Sequence, residues 1–298
     1  MNKSEHFKSG FVAVVGRPNV GKSTMINALI GDKIAIVSDK AQTTRNRIIC
    51  VYTDEEKQIV FMDTPGVHKP KHKLGEFMVD AAIESLKETE AVLFVVAGNE
   101  KRGPGDNFII EQLKRVKVPV FLVVNKIDTL QKEQLLEAIV SYQDAYPFAG
   151  VIPISAKNKD NLEELLNVLS KNLPEGPQYF PEDMITDQPE RLIISDIVRE
   201  KILLSTRYEI PHAIAVDVDE MKTRDDGTTY IRATIYCERD SQKGIIIGKK
   251  GALLKQLGAE ARADIQKLLA TKVYLDLWVK VKKDWRNKSG MLSELGYK

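Results

Sequence analysis

Residues 16–23 read Gly-Arg-Pro-Asn-Val-Gly-Lys-Ser, which is GxxxxGK[ST] without a mismatch. The run follows apolar Phe11-Val12-Ala13-Val14-Val15 and precedes Thr24-Met25-Ile26-Asn27-Ala28-Leu29-Ile30, so the pattern predicts strand, loop and helix in that order. Across Gly16, Arg17, Pro18, Asn19, Val20 and Gly21 a glycine-rich backbone can curl its N–H groups around phosphate oxygens. The helix opening at Lys22, Ser23 and Thr24 adds the positive end of its dipole. Lys22 is placed to reach the β- and γ-phosphates, and the Ser23 hydroxyl to bind Mg²⁺. The expected ligand is a nucleoside triphosphate.

Further along, the residues name the base. Asn125-Lys126-Ile127-Asp128 follows the apolar run 120–124. A carboxylate at Asp128 accepts two hydrogen bonds from the N1–H and 2-amino group of guanine. Adenine lacks that pair of donors, and the mismatch discriminates strongly. Asp63-Thr64-Pro65-Gly66 follows the run 58–62. Asp63 can hold Mg²⁺ through water, and the Gly66 amide can meet the γ-phosphate. Ser155 and Ala156, with Lys157 after them, follow 151–154 and can contact the guanine edge through backbone. Each short motif is weak alone; in this order after a perfect phosphate loop they are specific.

Composition sets outer bounds. The chain has 298 residues, 43% hydrophobic and 29% charged, which suits about two domains of a soluble protein. Cys50 and Cys237 lie far apart, without metal spacing or a disulfide framework, as expected in a reducing cytosol. The polar stretch 1–10 is not a signal peptide, and no apolar run approaches the ~20 residues needed to span a bilayer. The net charge of +2 hides an asymmetry: residues 243–298 carry +8, leaving −6 on the rest. Such a split fits a region that meets nucleic acid or an anionic membrane, or a solvated lysine-rich face.

Strand-like runs at 11–15, 47–53, 58–62, 91–96, 119–124 and 150–154 alternate with helical stretches near 22–30, 74–87, 105–116, 131–144 and 160–171. This predicts an α/β domain over 1–173 with a mainly parallel sheet, its nucleotide motifs at the C-terminal strand ends. Pro174, Pro177, Pro181 and Pro189 mark 174–189 as a linker. A smaller α+β domain, 190–298, is expected to hold a helix at 191–205, strands near 212–221 and 229–238, a glycine-rich turn, a helix at 251–270 and a strand at 272–281.

The stretches 16–29 (GRPNVGKSTMINAL), 41–47 (AQTTRNR), 63–78 (DTPGVHKPKHKLGEFM) and 246–258 (IIGKKGALLKQLG) together resemble the bacterial Era GTPases, over essentially the whole chain. The resemblance implies a P-loop GTPase domain followed by a type II KH domain. There Gly248-Lys249-Lys250-Gly251 is the GxxG loop: glycines allow close approach to the sugar-phosphate chain and lysines neutralise phosphates. Lys243 and Ile246 join these four as expected RNA contacts. The implied RNA is the 3′ end of 16S rRNA, and the implied role is assembly of the small (30S) ribosomal subunit. A peripheral role at an anionic membrane surface is the alternative, through residues 272–288. Trp278 and Trp285 would suit a lipid interface, although Trp278 alternates like a sheet residue that packs inward. The expected location is cytoplasmic, and the expected state a monomer.

Lys22, Thr44 and Gly66 are expected to act in hydrolysis. Thr44, aligned with the Thr-Arg of related GTPases, is the expected switch ligand to Mg²⁺, with Thr43 as the alternative. Many GTPases place a water-orienting Gln after the DxxG glycine; Val67 stands there, so intrinsic hydrolysis is expected to be slow. Asn19 either helps hold K⁺ beside the phosphates, as in related GTPases, or only stabilises the loop turn. Residues 38–46 and 66–75, the latter with His68 and His72, are the expected switches. Arg17 and Arg45 could meet nucleotide or RNA.

Overall fold

The strand-like runs of the first unit alternate in where they bury. Along β1 (Lys8–Val15), Val12 and Val14 enter one apolar layer while Ala13 and Val15 enter the other. β4 (Ala91–Ala97) and β5 (Val120–Asn125) repeat the pattern and are buried throughout. A strand buried on both faces must sit inside a covered sheet. A computed structural model describes residues 6–32, 34–37, 43–67, 70, 72–206 and 210–297. In it β2 (Ile48–Thr53), β3 (Lys57–Asp63) and β6 (Gly150–Pro153) complete a six-stranded sheet of order β2-β3-β1-β4-β5-β6. All neighbours are parallel except β2 and β3. Helices α1 (Lys22–Ile30) and α5 (Leu162–Asn172) cover one face, through Met25, Ile26, Leu165 and Leu169. Helices α2 (Lys73–Glu84), α3 (Pro104–Leu113) and α4 (Lys132–Gln143) cover the other, through Ala82, Ile109 and Tyr142.

Residues 174–187, expected from their prolines to be a linker, belong to the first unit instead. They run extended along it, and the backbone makes the attachment. Val51 N donates to Ile185 O (2.9 Å), Ser9 N to Pro174 O (3.1 Å) and Gly176 N to Phe7 O (3.0 Å). Buried Gln58 grips the middle: its Oε1 accepts from Tyr179 N and Phe180 N, and its Nε2 donates to Phe180 O. Proline is tolerated because an edge-lying strand needs only some of its N–H groups. The boundary between units falls at Asp187 and Gln188.

The second unit contains α6 (Glu190–Ser205), α7 (Ile210–Ala213), β7 (Ala215–Thr223), β8 (Thr229–Cys237), α8 (Asp240–Ile247), α9 (Ala252–Leu269), β9 (Val273–Val281) and α10 (Ser289–Glu294). Its sheet has the order β7-β8-β9, with β7 antiparallel and β9 parallel to β8. Ile194, Val198 and Ile202 of α6, Ile246 of α8, and Leu257, Ala261 and Ile265 of α9 bury one face of that sheet. The sequence reading missed α8. Buried Gln242 caps it by accepting Glu238 N (2.9 Å) and Arg239 N (3.1 Å), and packing of Ile246 overrides the strand preference of the isoleucine run. The indole of Trp285 is fully buried and donates to Ala213 O (2.9 Å).

Candidate functional site

Five parallel strands of the first unit end on one side, and the expected phosphate, metal and base residues collect there. Asn19 (φ 64°) and Gly21 (φ 97°) take left-handed backbone, which turns the loop from β1 into α1. A Cβ on Gly21 would collide with the Asn125 amide, so glycine is required twice over. Lys22 Nζ donates to the Gly16 and Arg17 carbonyls, 3.1 Å each. Burial pushes its ammonium down to about 8, with nearby Asp63 working against that shift.

The three expected Mg²⁺ residues meet although they come from α1, the segment before β2, and the end of β3. Ser23 Oγ donates to Asp63 Oδ2 (2.8 Å), Thr44 Oγ1 donates to the same oxygen (3.3 Å), and the two hydroxyls lie 3.0 Å apart. Burial raises the Asp63 carboxyl above the usual range, while Lys22 pulls the other way. Asp63 Oδ1 is buried without a hydrogen-bond partner among the described residues. Hydroxyl and carboxylate oxygens with one buried lone oxygen are a donor set that suits a hard cation such as Mg²⁺. Thr64 is locked by its hydroxyl to Val14 O (2.6 Å). Beyond Pro65, a Cβ on Gly66 would stand 2.7 Å from Pro18 N and Cα, so only glycine brings this turn against the phosphate loop.

On the base side, buried Asn125 joins three segments. Its Nδ2 donates to Val20 O (2.8 Å) and its Oδ1 accepts from Ala156 N (3.0 Å). Lys126 takes left-handed backbone (φ 67°), and Ile127 N donates to Ile154 O (3.3 Å). Asp128 is exposed, with Oδ1 fixed by the Ser155 hydroxyl (2.7 Å). Lys157 is exposed beside them.

One expectation changes here, and a second gains its reason. The Arg17 side chain is held by Asp106 (Nε to Oδ1, 2.9 Å) and Glu100 (2.9 Å), so it braces the loop against α3 and only its backbone faces the phosphate side. Val67 is buried in the layer under α2 and α3, with its N–H on Gly16 O (3.1 Å). Its side chain is committed to packing and cannot orient water. Sequence reasoning missed Glu100, Asp106 and Asn27. Asn27 Oδ1 accepts from Ile34 N and Ala35 N and so pins the chain leaving α1. Of the expected switches, 38–42, His68, Lys69 and Lys71 lie outside the described residues.

In the second unit, α8 leads into the GxxG turn. Gly248 (φ 73°), Lys250 (φ 51°) and Gly251 (φ 79°) have positive φ, and Lys249 and Lys250 are exposed. Lys243 is half-buried one turn earlier. Ile246, expected at the RNA face, is fully buried instead; the helical turn of α8 exposes Ile245 in its place. Next to the turn lies a groove of about 420 Å³ between α9 and β9, lined by Leu254, Lys255, Gly258, Arg262, Leu275 and Leu277. Its apolar floor and basic wall went unread, although Gly258, which leaves room in the middle of the continuous helix α9, stands in the sequence. Trp278 faces away from this side and is exposed, against the expectation that it packs.

A family model described as a 50S ribosome-binding GTPase matches residues 11–126, and a KH domain model matches 209–286. Among solved structures, the chain is 43% identical to Era in complex with MgGDPNP and nucleotides 1506–1542 of 16S ribosomal RNA, covering 98% of this chain and 99% of that one at a TM-score of 0.95. It is also 43% identical, over 98% and 99%, to a substituted Aquifex aeolicus Era bound to GDP·AlF₄⁻, at a TM-score of 0.94. With both halves matched at that identity, the chain is a GTPase and belongs to the Era family.

Proposed function

We propose that this chain is a Mg²⁺-dependent GTP switch that binds the 3′ end of 16S rRNA through its KH unit during assembly of the small ribosomal subunit. The observation that carries the switch is the meeting of Ser23, Thr44 and Asp63 beside buried Lys22. Ser23, Thr44 and Asp63 are the residues that would hold Mg²⁺, which supplies charge neutralisation at the β- and γ-phosphate oxygens. Lys22 and the amides of residues 16–24 take the remaining phosphate charge. The Gly66 amide reaches the γ-phosphate, which tells GTP from GDP. Asp128 reads guanine with its second carboxylate oxygen and its Ser155-fixed partner. With Val67 packed inside, no side chain at that position holds the attacking water, and hydrolysis of the isolated protein is slow.

The KH reading is supported by the exposed lysines of the GxxG turn and by the groove beside it, whose apolar floor and basic wall suit an unpaired strand. The test is binding of RNA 1506–1542 at fixed salt, with a non-hydrolysable GTP analogue and with GDP. Tight binding that weakens with GDP supports a coupled switch, and linkage requires the RNA to raise GTP affinity by the same factor. Equal, weak binding in both states defeats it. This function places the protein in the cytoplasm. No described helix is long and apolar enough to cross a membrane. Sedimentation with anionic vesicles at physiological salt tests whether residues 272–288 also dock on a membrane surface.

A further inference from the structure

Strand β9 has two working faces. Leu275 and Leu277 point into the groove under α9, while Tyr274, Asp276, Trp278 and Lys280 alternate onto the opposite face. That opposite face carries aromatic rings in the open. Tyr274 is 52% and Trp278 54% exposed. Tyr274 pairs in register with Tyr230 on β8, and the two rings stack at 5.9 Å with planes 16° apart. The Arg224 guanidinium lies 4.9 Å from the Tyr230 centroid and 5.0 Å from that of Tyr274. Such an ordered exposed stack costs side-chain freedom without burying the rings.

The neighbouring charges fix the rings rather than screen them. Asp276 Oδ2 accepts from Tyr230 Oη (3.2 Å) and Trp278 Nε1 (3.0 Å), which tethers both side chains to the sheet. Glu220 is paired with Lys222 (2.9 Å) and Arg232 (3.4 Å). Asp219 accepts from Thr234 (2.7 Å) on the far side of β8. Arg224 and Lys280 remain beside the aromatic surface as cations. Preorganised rings interleaved with Arg and Lys on an open sheet suit stacking of unpaired bases, a mode in which every base presents a π-face. A protein-binding patch of this size is expected to be more apolar at its centre.

The route is set by topology. β9 is the terminal strand of the sheet, with no strand paired to its outer edge among the described residues. An RNA strand lying in the groove can pass over that edge and reach Trp278 and Tyr274, which are ~13 Å apart along the strand. We infer that this face is a second single-stranded RNA subsite: Tyr230, Tyr274 and Trp278 stack bases that leave the GxxG groove, and Arg224 and Lys280 meet their phosphates. The inference rests on the RNA-binding reading of the KH unit.

Trp278 reports on its own site, because the other tryptophan, Trp285, is fully buried. The experiment titrates the full chain, with GTP analogue, against RNA 1506–1542 and against a short single strand from its 3′ end, reading tryptophan emission and affinity together. The longer RNA quenches the emission, and the Trp278→Phe variant loses the quench. Tyr274→Ala weakens the longer RNA by about 5- to 150-fold, the size of one lost base stack, and leaves the short strand within about twofold. Bound longer RNA with unchanged emission overturns the subsite, as does an equal loss for both RNAs in Tyr274→Ala. Emission that ignores RNA but shifts on anionic vesicles or on a ribosomal protein overturns it too and gives the face to that partner. Failure of both RNAs to bind wild-type protein defeats the KH reading itself.

Discussion

The sharpest test of the nucleotide site is Asn125→Ala. Both polar atoms of the Asn125 amide are spent inside the protein, tying the phosphate loop (Val20 O) to the base loop (Ala156 N) by bonds of 2.8 and 3.0 Å. The substitution leaves a buried carbonyl and a buried N–H without partners. Each net hydrogen bond contributes roughly 1 kcal/mol, and each stranded group costs about 1–3 kcal/mol, so a total near 2–4 kcal/mol is reasonable after partial relaxation. Part of it lowers folding stability, because the bonds exist without nucleotide. The rest appears on binding, because nucleotide must restore a loop geometry that the variant has let go. If binding carries all of it, affinity falls by about 30- to 1,000-fold. If stability carries all of it, the melting temperature falls by about 4–16 °C for a unit of this size. The assays are titration with a fluorescent GDP and GTP analogue, and a thermal melt of the nucleotide-free protein. Both nucleotides should lose the same factor, since the bonds sit away from the γ-phosphate. Affinity within twofold together with an unchanged melt refutes the bridging role, and a loss confined to GTP refutes its placement.

Other outcomes follow from single contacts. Asp128→Asn should lower GTP affinity by about two orders of magnitude or more and favour xanthosine triphosphate, whose 2-oxo group suits an amide donor; competition titration reads this. Val67→Gln should not speed hydrolysis, because position 67 faces the core, and it should destabilise by about 1–3 kcal/mol; a tenfold faster single-turnover rate contradicts that placement. Burial and Asp219 hold the Asp217 carboxyl above its usual range. The folded state therefore binds that proton more tightly than the unfolded chain, and its stability falls as pH rises through the folded value. Asp217→Asn should then raise the melting temperature at pH 7 and give no gain below about pH 3. A Cβ at Gly258 would lie 3.5 Å from Leu277 Cδ1, so Gly258→Val fills the groove; RNA affinity should drop at least tenfold in a filter-binding assay while GTP turnover is unchanged.

The alternating strands and nucleotide motifs were legible because each is local: a buried strand, a tight glycine turn and a functional side chain lie within a few residues. What escaped depends on distant partners. Gln58 is an unremarkable glutamine in sequence, and only the fold brings Tyr179 and Phe180 to it. The run Gly244-Ile245-Ile246-Ile247 has the composition of a strand or turn, yet Gln242 and the sheet beneath make it helical. That change of period exchanged Ile245 and Ile246 between surface and core. Trp278 was misplaced for a related reason: alternation shows that it faces one side of β9, and says nothing about which side the helices cover. Arg17 looked like a ligand contact because its carboxylate partners lie more than eighty positions away.

The proline-rich attachment of residues 174–187 changes where this protein can be divided. β2 ends the large sheet, and its outer edge is occupied at Val51 N by Ile185 O and at Ile49 O by the Thr186 hydroxyl. Unoccupied edges recruit strands from other molecules. A nucleotide-binding fragment cut at Leu173 would leave that border bare and invite self-association, whereas one cut after Asp187 keeps its own selvedge. The segment thus acts as a hem sewn from the chain that follows, and the fragment is finished only once those residues have been synthesised and laid down.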